Sequence, residues 1–168
     1  MHNNAYLFTV NLWYKKATAA SNLNQGPWGS GGGDPTAIGF VFWIDDRTAN
    51  KKWHFSIINS GGSRVMRLDA GSVPQDTNWH MLSVRANNAT PRCAVALDGN
   101  TGGEVADTTE EAAPSDADAT GAFKVGERIT SDDLDFDGDH DEFAIFNRSI
   151  SDDEVSEINN DDAGLEIY

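Results

Sequence analysis

Five aspartates, Asp133, Asp135, Asp137, Asp139 and Asp141, recur at every second position late in the chain. Alternate side chains of an extended backbone point the same way, so this spacing directs five carboxylates toward one side, an arrangement that calls for a cation. Hard oxygen ligands at such density suit calcium. The segment Asp133-x-Asp135-x-Asp137-Gly138 matches the first half of an EF-hand loop, but the position that needs a bidentate Glu is Ala144, and strand-like sequence follows where a helix should begin. An EF-hand is thereby excluded, and calcium at an acidic turn of another kind is expected.

Aromatic residues offer a second chemistry. An exposed indole can stack on the apolar C–H face of a sugar ring while Asn, Asp and Gln take its hydroxyls. Trp28 lies in the glycine-rich run SNLNQGPWGSGGGDP and is the first candidate for such a contact, expected to face solvent. Trp13 and Trp43 stand on strand faces opposite the main apolar sets; they either line the second face of a packed sheet or stand exposed as ligand contacts. Trp53 and Trp79 begin strands and read as core or rim residues. Catalytic constellations are missing. His54, His80 and His140 share no short metal-binding spacing, Gly29 to Gly33 lacks the Gly-Lys-Ser/Thr ending of a phosphate loop, and there is no G-x-S-x-G. The expected protein is therefore not an enzyme.

The elements that would position these residues are short strands. Residues 5 to 16 alternate, with Tyr6, Phe8, Val10, Leu12 and Tyr14 on one face and Thr9, Asn11, Trp13 and Lys15 on the other. Ile38, Phe40, Phe42 and Ile44 repeat the pattern, as do Trp53, Phe55 and Ile57, and a Gly61-Gly62 turn leads to Val65 through Leu68. Trp79 to Arg85 and Cys93 to Leu97 read as two further strands, the second closed by the turn signal Asp98-Gly99. Residues 100 to 121, poor in large apolar groups, predict one short edge strand and a mobile loop. Ser151 with Glu154 three residues on forms a capping box, flanked by Ile150 and Val155 as a hydrophobic staple, which predicts a short helix. The sum is an all-β chain, an antiparallel sandwich with one short C-terminal helix.

The run FDGDHDEFAIFNRSISDDEV resembles the closing signature of laminin G-like domains of the concanavalin A-like lectin/glucanase superfamily. FTVNLWYKK (8 to 16), NWHMLSVRANN (78 to 88), VALDG (95 to 99) and FKVGER (123 to 128) fall in the family's order. The resemblance implies a jelly-roll sandwich over a single domain, 1–168, and calcium near the acidic turn, with Asp141 at the family's Ile-Asp-Glu aspartate as first ligand and Asp139 next. It implies a structural role for His80 in the Trp-His strand start. The carboxylate pair of the superfamily's glucanases is not visible. Such domains usually carry one or two strands before the Phe-Thr-Val element, whereas seven residues precede Phe8 here. Either the fold is trimmed, or the tail AGLEIY fills that place, or a neighbouring chain donates a strand.

Composition sets outer bounds. A formal charge of −15 and a pI near 4.3 disfavour nucleic acid and anionic membrane as partners and favour divalent cations. The single cysteine, Cys93, excludes an intramolecular disulfide. No apolar run approaches the roughly 20 residues of a membrane-spanning helix, and the N-terminal residues lack the features of an export signal. The expected function is a non-catalytic module that binds a glycan or a surface protein in adhesion or recognition. The rival is a structural virion protein, a decoration or fibre component, which release by lysis would deliver without a signal. Either way the expected location is extracellular or on a virion surface, with a homo-oligomer or virion assembly as a further expected partner.

Overall fold

The structure is a computed structural model that describes residues 7–19, 24–29, 39–45, 51–58, 64–70, 72–87, 93–107, 123–126 and 135–160. Among these residues ten strands run in order: β1 (Phe8–Lys16), β2 (Asn24–Gly29), β3 (Gly39–Asp45), β4 (Lys52–Ile58), β5 (Arg64–Ala70), β6 (His80–Ala86), β7 (Cys93–Leu97), β8 (Asn100–Asp107), β9 (Lys124–Val125) and β10 (Gly138–Phe146). One helix, α1 (Asp152–Asn159), follows. Sheet I has the order β10-β1-β6-β7-β8 and sheet II the order β5-β4-β3-β2-β9, every pair antiparallel. The expected sandwich with a short terminal helix is what forms.

Strand parity builds the core. Phe8, Val10, Leu12 and Tyr14 of β1 meet Phe40, Phe42 and Ile44 of β3 and Trp53, Phe55 and Ile57 of β4 between the sheets, with Leu82, Val84 and Val95 completing the cluster. Burying this area supplies the main driving force for folding. The opposite residues of β1 face outward from sheet I. There Trp13, Met81 and Ala96 pack against Ile150 and Val155, so α1 covers the outer face of this sheet. Ser151 caps α1 by accepting from the Glu154 amide, the Glu154 side chain closes the box on the Ser151 amide, and Asn160 ends the helix in the left-handed region at φ 45°. The Thr9 hydroxyl donates to the Arg148 carbonyl (2.9 Å) and accepts from the Ile150 amide (3.1 Å), which ties the start of β1 to the connection before the helix.

Two expectations need correction. The glycine-rich segment is not loop throughout, because Asn24–Gly29 is a strand between β3 and β9. Its pairing with β3 is irregular between Gln25 and Trp28, and a bulge there tolerates Pro27, which has no amide hydrogen to give a ladder. The Pro27 carbonyl still accepts from the Gly126 amide at 2.7 Å. The edge strand expected past residue 100 spans Asn100–Asp107, longer than foreseen. It follows β7 through a two-residue turn, Asp98 at φ 51° and Gly99 at φ 69°, the paired left-handed geometry of a tight hairpin. β1 is an interior strand, flanked by β10 and β6, so the edges of sheet I among the described residues are β10 and β8. Residues 1–6, 108–122 and 161–168, with the terminal segments expected to pair with another chain, lie outside the described residues.

Candidate functional site

The three tryptophans singled out as ligand contacts occupy three different environments. Trp28 is 1% exposed and stacks on Phe42, with ring centroids 5.5 Å apart and planes at 8°. Phe40, Phe55 and Phe123 complete its cage. The expectation that Trp28 faces solvent is thus overturned: β2 is an inner strand, and its bulge turns the indole into the core. Trp13, 6% exposed, lies beneath α1. Trp43 alone of the three reaches a surface. It is half-buried on the outer face of sheet II, the side away from Phe42 and Ile44.

That outer face brings together groups far apart in chemistry. Trp43 and His54 are cross-strand partners in β3 and β4, and their rings lie parallel, 4.7 Å between centroids and 6° between planes. Asp45, two positions beyond Trp43 on the same face, places Oδ2 3.9 Å from His54 Nε2. Ser56, opposite Val41, and Lys52, opposite Asp45, share the face by register, and His54 is paired with Asp69 of β5 on its other side. Ser56 is buried, so the set offers one aromatic platform, a carboxylate, an imidazole and an ammonium, which suits a polyhydroxylated ligand better than a reaction. Sequence parity placed Trp43 on this face; the register that joins it to His54 and Asp45 depends on the length of the connection from Asp45 to Lys52 and could not be read locally.

The acidic turn lies at the opposite sheet. Asp135, Asp137, Asp139 and Asp141 are exposed, and Asp133 lies outside the described residues. Asp139 and Asp141 pair with Lys15 and Trp13 across β1, so both stand on the outer face of sheet I, as their alternation requires. The register then slips between Trp13 and Asn11, with Glu142 at φ 47°; this bulge lets Phe143 turn inward against the core immediately after two outward aspartates. Asp141 Oδ1 accepts from the Glu142 amide (2.8 Å), and Asp139 Oδ2 is 3.9 Å from Lys15 Nζ. The turn is stitched across both sheets by Ala17 N donating to the Asp137 carbonyl (2.9 Å) and Asp137 N donating to Gln25 Oε1 (3.3 Å). Among the described residues no three His, Cys, Asp or Glu side chains stand together as a metal site. Calcium takes six to eight oxygens, and the described carboxylates do not by themselves gather that many.

Sequence reasoning missed a polar clasp at the start of β6. His80 Nδ1 is 2.8 Å from Asp98 Oδ2 and His80 Nε2 is 3.0 Å from Asp76 Oδ1, while Asp98 Oδ1 accepts from the Met81 amide at 2.9 Å. Asp98 above all raises the His80 pKa above its ordinary value, against the opposing effect of burial. The Asn78 amide and then His80 hold Asp76 below the usual carboxylate range. Neighbouring Trp79 is exposed, with Lys15 Nζ 5.9 Å from its ring centroid. The Trp-His pair was the only local signal of this clasp. Its Asp98 partner comes from the β7–β8 turn.

The architecture is shared widely. A pentraxin from Limulus polyphemus, described as a native heptameric SAP-like protein, superposes with a TM-score of 0.63 at 12% identity over 92% of this chain and 70% of its own. The CBM40 domain of the Ruminococcus gnavus IT-sialidase, solved bound to α2,3 sialyllactose, gives 0.64 at 16% identity, covering 92% of this chain and 83% of its own. Domain 4 of AbnA, an extracellular GH43 arabinanase from Geobacillus stearothermophilus solved with arabinotriose, gives 0.56 at 18% identity over 91% and 66%. No curated protein matches the chain in sequence. The laminin G family profile described as the Concanavalin A-like lectin/glucanases superfamily matches residues 2–156, nearly the whole length, and carries the same sandwich that the strands above build. The chain belongs to the concanavalin A-like lectin/glucanase superfamily.

Proposed function

We propose that the protein is a non-catalytic glycan-binding module that works outside the cell and contacts its ligand on the outer face of sheet II around Trp43. The observation that carries this reading is the parallel Trp43–His54 pair beside Asp45 on the sheet face opposite α1. The exposed portion of the indole takes the C–H face of a pyranose or furanose, and the half-buried Asp45 and Lys52 supply hydrogen-bonding groups to its hydroxyls. Support comes from the fold, since the similar Ruminococcus and Geobacillus domains were solved with sialyllactose and arabinotriose respectively. No helix among the described residues is long and apolar enough to cross a membrane.

The test is a glycan array followed by calorimetry with arabino-oligosaccharides and sialyllactose, on the wild type and Trp43→Ala. A stacking contact of about 1 kcal/mol predicts roughly fivefold weaker binding in the variant, with the wild-type fold retained by circular dichroism. Equal affinity of the two proteins would move the site elsewhere, and wild-type silence on every glycan would remove the reading. Calcium at the acidic turn is a separate part of the proposal, supported by the alternating aspartates and by the exposure of the four that are described. A cation bound only by the folded state raises its melting temperature by mass action, so adding calcium after chelation should raise the midpoint in the wild type and not in Asp141→Ala.

A further inference from the structure

Beneath α1 the outer face of sheet I carries polar atoms that the protein leaves without hydrogen bonds. Asn11 is 1% exposed and Ser83 is fully buried, and among the described residues neither the Asn11 amide nitrogen, its amide oxygen nor the Ser83 hydroxyl has a partner. The indole nitrogen of Trp13, on the same face, is likewise buried and unpartnered. Asn11 and Ser83 are directly opposite one another in β1 and β6, and their outer neighbours in that row are Ala144 of β10 and Ala96 of β7. Two alanines and a serine make this the smallest row across the face. The adjoining rows hold larger side chains, Phe146 and Arg85 on one side and Trp13 and Met81 on the other.

The adjoining polar groups are used differently. Thr9 is fully engaged with the Arg148 carbonyl and the Ile150 amide, and Arg85 Nη1 donates to the Ile150 carbonyl (3.0 Å) and to Asp152 (2.7 Å). These contacts anchor the chain on its way into α1, but they leave nothing to satisfy Asn11, Ser83 or Trp13. Buried polar groups in folded proteins are matched by protein or by ordered water, and an unmatched donor or acceptor destabilises the fold. Small side chains beside polar atoms are the setting in which a water is held, whereas an apolar hollow of the same size stays dry.

We infer that the seam between sheet I and α1 is a binding site for ordered water, held by the Asn11 amide, the Ser83 hydroxyl and the Trp13 indole N–H. Water bridges the indole donor to the amide and hydroxyl acceptors where the residues packed over this part of the face, Ile150 just before α1 and Val155 and Ile158 within it, have no side-chain hydrogen-bonding group to offer. The helix is thus docked through an apolar contact at one level and a hydrated one beside it.

Magnetic relaxation dispersion of deuterium and oxygen-17 in the solvent, measured on the full chain, counts waters that stay for longer than the protein tumbles. Asn11→Leu combined with Ser83→Ala should lower the dispersion amplitude by at least one water relative to the wild type. An identical amplitude in a folded double variant would overturn the assignment. If the double variant does not fold, Trp13→Phe decides, since it removes the indole donor and leaves a smaller aromatic ring on this face: a lost or faster-exchanging water supports the site and an unchanged profile sinks it. Equally fatal would be a high-resolution crystal structure in which Asn11 bonds directly to Ser83 and the indole nitrogen bonds to a protein oxygen.

Discussion

Each ring nitrogen of His80 faces a carboxylate, an arrangement that favours the doubly protonated imidazolium, in which both nitrogens donate. Its folded pKa is raised, so its contribution to stability is complete below the ordinary value of about 6.5 and is lost as pH rises through the folded value. His140 works in the opposite sense. Burial lowers its pKa to about 4 and it stacks on Phe136 at 4.2 Å, so stability falls as the pH drops from about 6.5 toward that value, where the unfolded chain takes up a proton the folded one refuses. Melting temperature should therefore decline on both sides of neutrality. His80→Gln should flatten the alkaline limb and cost about 1–3 kcal/mol at neutral pH, and His140→Phe should flatten the acid limb; limbs unchanged in both variants would refute the assignment. Gly138 is a third decisive residue, because a Cβ there would collide with the Lys15 carbonyl oxygen and the Phe136 ring. Gly138→Ala should cost at least about 2 kcal/mol in urea denaturation. Fluorescence gives a further check: iodide should reach Trp79 most readily and leave Trp28 untouched, so Trp79→Phe, and not a change at Trp28, should remove most of the quenching.

α1 is held by its ends and by one apolar edge. Arg148 makes a two-point contact with Glu154, whose carboxyl is drawn down to about 2 by the guanidinium and by the Ser151 amide, and that same carboxylate closes the capping box. Ser151→Ala should cost about 1 kcal/mol, read as a lower melting temperature with an intact sandwich signature in circular dichroism. This helix was legible in the sequence because cap, staple and acidic first turn lie within a few consecutive residues. The same holds for β1, β3 and β4, whose two-residue alternation is local. β2 was not legible, since Pro27 and the surrounding glycines are loop signals, and only its neighbours β3 and β9 make an ordered strand of it. The candidate site divides along the same line. Parity alone put Trp43 on the non-core face, but His54, Asp45 and the clasp around His80 are products of register and of the β7–β8 turn, which no short window of sequence contains. Trp28 failed for a related reason: a glycine-rich setting announces exposure, and burial there is decided by Phe40, Phe42 and Phe55 on strands paired later in the chain.

The molecule as a whole carries a charge of −15, which opposes compaction by self-repulsion. Moderate sodium chloride screens that repulsion and should raise the melting temperature by a few degrees, whereas a fall would mean that local ion pairs such as Lys15–Asp139 outweigh it. The placement of β1 has a consequence for how the chain is made. Of the described strands this one leaves the ribosome first, yet it lies inside its sheet, and one of its two partners, β10, is the last of them; Thr9 and Arg148, which bond directly, are 139 positions apart. Contacts of such separation form slowly. Until Gly138–Phe146 and α1 have been synthesised, β1 offers an unpaired row of backbone groups with Asn11 and Trp13 uncovered beside it, and that is the kind of edge on which strands of other chains add. Nascent chains stalled before residue 138 should therefore associate with one another and recruit chaperones, while chains released after residue 160 should not, and ribosome-profiled chaperone capture along the message would show the transition between those two points.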